Sequence, residues 1–359
     1  MTIYLDYQAT TPLALEAYAA MQPWLSDGFA NPHSSHKLGR AAAAAVEVAR
    51  DQVAALLPSG GRVYFTSGAT EAINWAMRGS LAPGVAISLP NSEHAAVRDT
   101  ALWLGERGHP VTILPIGDDG VVTAGEPRAG LSAVMLVNNE IGVIQPVADL
   151  AAAAHRAGGL FLCDAVQAYG RIAIPDGPDM IAISAHKIHG PKGIGALWVR
   201  DGITLEPLLH GGGQEGGLRS GTLSPALCAG FGAAAAVAAD RFDADGAHVI
   251  ALAAIARERL PKGWLINGST THRYPGNLNI RLAGLDSARL ISEVRGVALS
   301  SGSACASGSG RSSHVLRAIG LSEAEARSSL RLGFGRYTSE AELIKALDLI
   351  FAAAKSQSA

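Results

Sequence analysis

Between residues 62 and 199 the chain repeats one pattern. Short apolar runs with few charges fall at 62–66, 84–88, 111–115, 132–137, 159–163, 180–184 and 195–199, and helical patterns lie between several of them, near 94–107 and 147–157. β-rich runs with so little charge read as strands buried on both faces. Their alternation with helices predicts an α/β fold with a mostly parallel seven-stranded sheet covered on both sides. Ligands of such sheets gather beyond the carboxyl ends of the strands, so the residues that follow each run are where chemistry is expected.

The flanking segments complete the outline. Residues 3–6 read as extended, 13–25 as a helix, 31–36 as a polar loop, and the alanine-rich stretch after it as a helix to about 57. After Leu223 a long helix to about 240 meets a second at 243–260. Shorter, more mixed strands follow at 264–267, 277–282 and 328–332, then a last helix at 339–355. This change of texture places a large domain at 13–242 and a smaller α+β domain made of 1–12 with 243–359. With 359 residues, 48% hydrophobic and 17% charged, the chain is long and apolar enough for both cores. A net charge of −2 gives no basic field for nucleic acid. The three cysteines cannot frame a disulfide scaffold, no Cys-x-x-Cys or His-x-x-x-His pair suggests zinc, and neither a signal peptide nor a membrane helix is visible. A cytoplasmic protein is the expectation.

The chemistry centres on Ser184-Ala-His-Lys-Ile-His-Gly-Pro-Lys-Gly-Ile-Gly195, between two of the strands. A lone loop lysine is ordinarily solvated charge. Lys187, beside Ser184, His186 and His189 at a sheet edge, is better placed to be a partly desolvated amine that attacks a carbonyl, as the lysine of a pyridoxal phosphate enzyme does. Such a cofactor requires partners. Thr66-Ser-Gly-Ala-Thr-Glu71 joins a strand to a helix and offers N–H groups and hydroxyls to a phosphate, although Ser67 or Thr70 would equally serve as a helix cap. Asp164 ends an apolar strand, where it either pairs with a pyridinium nitrogen or only turns the chain. Gln167 lies three residues on, within reach of a ring oxygen. His94 starts a helix and suits ring stacking and proton transfer, or a plain surface role. Asn139 ends another strand, as a site residue or an ordinary turn.

Two further features lie in the last third. Cys305 sits in Leu299-Ser-Ser-Gly-Ser-Ala-Cys-Ala-Ser-Gly-Ser-Gly-Arg-Ser-Ser-His314, a stretch of small residues that buries little surface. It reads as a nucleophile on a mobile arm, against the plainer reading of a linker with an incidental thiol, whereas Cys163 and Cys228 fall in strand and helix patterns as small apolar fillers. Arg331 occupies an apolar-flanked strand position, as a buried ion pair or a clamp for a substrate carboxylate.

Taken together, these motifs resemble the cysteine desulfurases, fold-type I pyridoxal phosphate enzymes of the class-V aminotransferase family. The resemblance runs from Tyr4-Leu-Asp-Tyr-Gln-Ala-Thr-Thr-Pro12 to Arg331-Leu-Gly-Phe-Gly-Arg336, with Val137-Asn-Asn-Glu-Ile-Gly142, Arg219-Ser-Gly-Thr222 and Ser300-Ser-Gly-Ser-Ala-Cys305 among its specific pieces. It implies that Lys187 holds pyridoxal 5'-phosphate as a Schiff base and moves the Cα proton. Asp164 would pair with the ring nitrogen, Gln167 with the ring oxygen, and His94 would stack and shuttle protons. Ala69, Thr70, Ser184 and His186 would hold the phosphate, joined by Thr222 of a neighbouring subunit, so that a homodimer shares its sites. Asn139 and Arg331 would hold the carboxylate of L-cysteine. Cys305 would take its sulfur as a persulfide, releasing L-alanine, and the long loop resembles the branch that supplies iron–sulfur scaffolds or other sulfur acceptors.

The sequence departs from the family pattern at Gly216 and Gly217, where a basic residue is common, in the loop 31–36, which lacks an arginine, and in ending at Ala359, short of the residues relatives use to dock a scaffold. These departures bear on the partner surface rather than on catalysis. The rival readings are a selenocysteine lyase or related β-eliminating enzyme and, from another class, a non-catalytic sulfur carrier or scaffold subunit.

Overall fold

Short apolar runs broken by glycine turns fold here as strands, and the small-residue helices between them pack close. The computed structural model describes residues 2–123, 129–301 and 312–357. Its first elements are β1 (Ile3–Tyr4), α1 (Leu15–Leu25), α2 (Lys37–Ala54), β2 (Gly61–Thr66), α3 (Ala69–Gly79), β3 (Ala86–Pro90), α4 (Ala95–Gly105) and β4 (Val111–Leu114). There follow β5 (Gly130–Met135), α5 (Val147–Arg156), β6 (Leu160–Asp164), β7 (Met180–Ser184), β8 (Gly195–Arg200), α6 (Pro225–Asp240), α7 (Phe242–Glu258), β9 (Leu265–Ile266) and β10 (Asn277–Arg281). The last are α8 (Ser287–Glu293), β11 (Val297–Ala298), α9 (His314–Ala318), α10 (Glu323–Arg327), β12 (Ser329–Gly333) and α11 (Glu340–Gln357).

Among the described residues the central sheet has seven strands in the order β2-β8-β7-β6-β5-β3-β4. All its pairings are parallel except the two made by β8. Side chains leave a strand alternately on its two faces, and the burial follows that rule. Phe161 and Cys163 of β6, with Ile181 and Ile183 of β7, join the apolar layer containing residues of α1, α2, α5 and α6. Leu162, Met180 and Ala182 join the opposite layer, formed with α3 and α4. The expectation of a sheet covered on both faces is met.

Glycine permits the tightest helix contact. A Cβ on Gly232 of α6 would lie 2.7 Å from the Cα of Ala49 in α2, so a side chain there would push the helices apart. Ser224 caps α6 by accepting from the Leu227 N–H at 3.3 Å, with Pro225 at the first helical position. Two strands are displaced by two residues from the sequence pattern: the one expected at 132–137 is Gly130–Met135, and the other has a visible cause. The strand expected at 84–88 begins at Ala86, because a turn closed by Val85 N–H to the Ala82 carbonyl (3.2 Å) takes Gly84, whose φ is +78°.

Beyond the sheet, β12, β10 and β9 form a three-stranded antiparallel sheet, and β1 pairs with β11. Helix α11 packs on α7 and α8. The short helices α8, α9 and α10 went unanticipated, since five to seven residues leave no periodic signature. No helix among the described residues is long and apolar enough to cross a membrane.

Candidate active site

Five strand ends meet at one edge of the sheet. β3, β5, β6 and β7 run parallel, and β2 points the same way because two antiparallel pairings with β8 relate it to β7. The turns leaving these strands enclose a cleft of about 950 Å³. Ala69 and Thr70 reach it from the turn after β2, and His94 from the turn after β3. Asn139 comes from the segment after β5, Asp164 and Gln167 from the end of β6, and Ser184, His186 and Lys187 from the end of β7. Arg331 enters from β12.

Lys187 is held from an unexpected quarter. Its Nζ donates to the carbonyl of Gln8 at 2.6 Å and of Ala9 at 2.7 Å, so the N-terminal segment cradles the amine. Burial, then the nearby charges of Arg171 and Arg331, pull its pKa down to about 7. A neutral amine has two N–H donors, which the two carbonyls satisfy, and a lone pair left over for attack on a carbonyl carbon. The same segment braces the turn. The Thr11 hydroxyl donates to the His186 carbonyl at 2.9 Å and accepts from the His189 N–H at 2.7 Å. Thr10 Oγ1 lies 3.1 Å from His186 Nδ1, and burial holds that imidazole near pKa 4, hence neutral at pH 7. His189 turns the other way, edge-on to Tyr7 and Tyr337. It has a bracing role.

Asp164 is buried and accepts from the Val166 N–H at 3.0 Å. Burial raises its pKa, and His94 and Lys187 oppose the rise. A cation brought against it would complete the pairing that burial leaves wanting. His94 caps α4, its Nδ1 accepting from the Ala96 N–H at 3.1 Å, which leaves the proton of the neutral ring on Nε2. Gln167 donates through Nε2 to the Gln8 carbonyl at 2.9 Å and accepts from Arg171 at 2.8 Å, with a second amide N–H to spare.

Helix α3 starts at Gly68 without any side-chain cap, so its first N–H groups are available to an anion. The turn is secured from behind. The Ser67 N–H donates to Glu71 at 2.8 Å, and Arg219 grips both oxygens of Glu71 at 2.7 and 3.1 Å. Burial pushes the Glu71 carboxyl up, but Arg219 and Ser67 outweigh it and leave the pKa below the ordinary value. Arg219 of the Arg-Ser-Gly-Thr motif thus acts on the turn through Glu71. Thr222 itself is exposed and lies outside the lining of its own chain's cleft. Nearby, Glu215 forks onto Arg50 with two contacts of 2.8 Å and receives the Phe65 N–H at 3.0 Å. Gly216 and Gly217 follow with φ of +68° and +84°, left-handed values that glycine adopts without strain.

At the far end of the cleft Arg331 is 1% exposed. It donates to Asp6 at 2.8 Å and to the Asn139 carbonyl at 3.0 Å, and its Nε has no partner among the described residues. Its main chain pairs with Ser300, and Ser312 lines the cleft. Ser313 also hydrogen-bonds the buried Glu140. Cys305 lies outside the described residues. Burial pushes the thiol of Cys163 well up and that of Cys228 to about 12, so neither offers a thiolate near neutral pH.

The profile of the family described as aminotransferase class-V matches residues 3–346. The chain belongs to that family. Among class-V relatives, the mitochondrial cysteine desulfurase of Eremothecium gossypii is 43% identical across 95% of this chain and 74% of its own length. The cysteine desulfurase IscS of Rickettsia rickettsii is 41% identical across 98% of this chain and 90% of its own. Among solved structures, a NifS-like protein superposes with a TM-score of 0.89 at 30% identity, covering 99% of this chain and all of the other. SspA in complex with cysteine gives 0.82 at 35% identity, covering 94% of this chain and all of the other.

Several contributors to this class-V cleft escaped sequence reading. The carbonyls of Gln8 and Ala9 carry no residue signature, since any residue has a carbonyl. Asp6 and Glu140 stand inside motifs that were recognised, and an acid within such a motif was the available signal.

Proposed function

We propose that this protein is a pyridoxal phosphate-dependent cysteine desulfurase, converting L-cysteine to L-alanine and leaving the sulfur as a persulfide on Cys305. The observation that carries the reading is the Lys187 amine, tied to two carbonyls and drawn to a pKa of about 7, in one cleft with the buried Asp164 carboxyl and the uncapped start of α3. These donors fit the cofactor in kind. Lys187 would hold its aldehyde carbon, Asp164 its ring nitrogen, and the spare N–H of Gln167 its ring oxygen. The N–H groups of Ala69 and Thr70, with Ser184 and His186, would hold its phosphate. When bound, pyridoxal phosphate supplies electron withdrawal from the substrate's Cα and Cβ.

This chain's own residues do the rest. Arg331, whose Nη1 donates to the Asn139 carbonyl and whose Nε has no partner among the described residues, binds and orients the substrate carboxylate. Lys187 Nζ takes and returns the Cα proton, and His94 Nε2 shuttles protons at the ring face. The Cys305 thiolate attacks the substrate sulfur. An S–S bond forms as the Cβ–S bond breaks, and the electron pair left on carbon takes up a proton to give alanine. The relatives named cysteine desulfurases support this reading.

The exposed Thr222 fits a homodimer in which it completes the partner's phosphate site, and Leu15 (81% exposed) and Phe29 (79%) are apolar groups that such a contact would cover. Delivery of the persulfide to an iron–sulfur scaffold or another acceptor protein, in the cytoplasm, is part of the same proposal.

The test is direct. Loaded with cofactor and given L-cysteine and a reductant, the protein should release sulfide and alanine in equal amounts. Cys305→Ala should keep the cofactor's absorbance and lose sulfide release. Sulfide at the normal rate from that variant would overturn the thiol assignment.

A further inference from the structure

Arg171 stands behind the lysine turn, and every hydrogen bond it makes among the described residues is to a carbonyl-type oxygen. Nη1 donates to the side-chain oxygen of Gln167 at 2.8 Å, and Nη2 donates to the carbonyls of Lys187 at 2.6 Å and Tyr7 at 3.2 Å. No described carboxylate pairs with it. Its remaining neighbour is the ring of Tyr274, 5.7 Å from Cζ to centroid. These contacts close a circuit. Arg171 holds the oxygen of Gln167, which presents its amide nitrogen to the Gln8 carbonyl at 2.9 Å. That same carbonyl receives Lys187 Nζ at 2.6 Å, and the backbone of Lys187 returns to Arg171. One guanidinium therefore ties together the end of β6, the N-terminal segment and the lysine turn.

We propose that Arg171 is a positioning residue for the reactive amine, fixing the Gln8 carbonyl and the Lys187 backbone in the register that turns Nζ toward the cleft. The proposal rests on Lys187 being the cofactor-binding amine. The fork geometry matters because three oxygens on three segments are reached from separate nitrogens of one rigid planar group, whereas an ammonium presents its three donors from a single point. The charge matters as well. A cation with no carboxylate of its own disfavours a second cation beside it, so Arg171 favours the neutral amine. The other charged or titratable groups that act on Lys187 are His186 on its own turn, Arg331 on β12, and Asp164 and Asp6, which oppose them. A residue that only stapled the three segments together would contribute to stability and leave the titration of Lys187 alone.

The experiment uses the full chain freed of cofactor, as wild type, Arg171→Met and Arg171→Lys, with folding checked by circular dichroism and thermal melting. Two rates are followed across pH: growth of visible absorbance on adding pyridoxal phosphate, and reductive methylation of Lys187 read by peptide mass spectrometry. Arg171→Met should raise the midpoint of Lys187 by about one unit, slowing both reactions about fivefold at pH 7 and about tenfold at lower pH. Arg171→Lys should keep the midpoint nearer that of the wild type, while its plateau rate with pyridoxal phosphate falls because the fork is lost. A folded Arg171→Met with the wild-type midpoint overturns the proposal. If that variant does not fold, an unchanged plateau rate in Arg171→Lys overturns it instead. Failure of the underlying reading looks different: Lys187→Ala would then develop the same absorbance band as the wild type.

Discussion

Two cations face the same cleft, and the chain treats them in opposite ways. Lys187 and Arg331 are both held by residues 6–9, only a few positions apart. The lysine receives two backbone carbonyls, from Gln8 and Ala9, whereas the arginine receives the carboxylate of Asp6. A carbonyl dipole satisfies an N–H without supplying a counter-charge. Burial and the neighbouring arginines then prevail, and the amine is drawn down to about 7. A carboxylate does supply the counter-charge that Arg331, 1% exposed, requires. Lys187 is only partly buried and Arg331 almost wholly so; carbonyl partners suit an amine that can give up its proton, and a carboxylate partner suits a guanidinium clamp.

The largest expected effect breaks the lysine side outright. Lys187→Ala should lower desulfurase turnover by at least about a thousandfold and abolish the band formed with pyridoxal phosphate; turnover near wild type would end the assignment. Next comes a stability measurement on cofactor-free protein. Because the folded pKa of Lys187 lies below its ordinary 10.5, the unfolded state binds more protons between about 7 and 10.5, and stability rises with pH through that window. Below about 7 both states are protonated and the cost of burying the charge is complete. Lys187→Met should therefore be more stable than wild type at pH 6, by on the order of a few kcal/mol. That gain should shrink to nothing above about pH 10.5; a gain independent of pH would show that folding does not lower the pKa of this amine.

On the arginine side, Arg331→Lys should reduce kcat/KM for L-cysteine by about a hundredfold through loss of the fork. Steady-state kinetics with unchanged kcat/KM would remove Arg331 from substrate binding. Asp6→Asn sharpens the contrast by turning the arginine's partner into a neutral one. It should cost about 1–3 kcal/mol in thermal unfolding, and combining it with Arg331→Met should cost less than the sum of the two singles. Additive costs would mean that the ion pair is incidental. The smallest effect is expected at the start of α9, where Ser313→Ala loses its bond to Glu140 and the helix cap, about 1 kcal/mol.

Strand ends made much of the cleft legible in advance. Asp164, Ser184 and the Ser67–Thr70 turn were identifiable because each ends or follows a buried apolar run, and His94 because it opens the helix after one; their joint placement at strand ends outweighed the plainer reading of each. Proximity in sequence misled in one case: His189, two residues from Lys187, faces Tyr7 and Tyr337 instead of the cleft. Distance in sequence concealed others. Gln8 and Ala9 contribute only main-chain atoms to a lysine nearly 180 positions away, and Arg171 shows its purpose only once three segments converge on it.

The sheet, its two covered faces and the edge where the cleft opens follow from local pattern, because strand periodicity and parallel pairing are rules that short windows obey. The protonation of Lys187 does not. It depends on desolvation and on which distant groups approach within a few ångströms, quantities that exist only after β6, β7, β12 and the N-terminal segment have packed together.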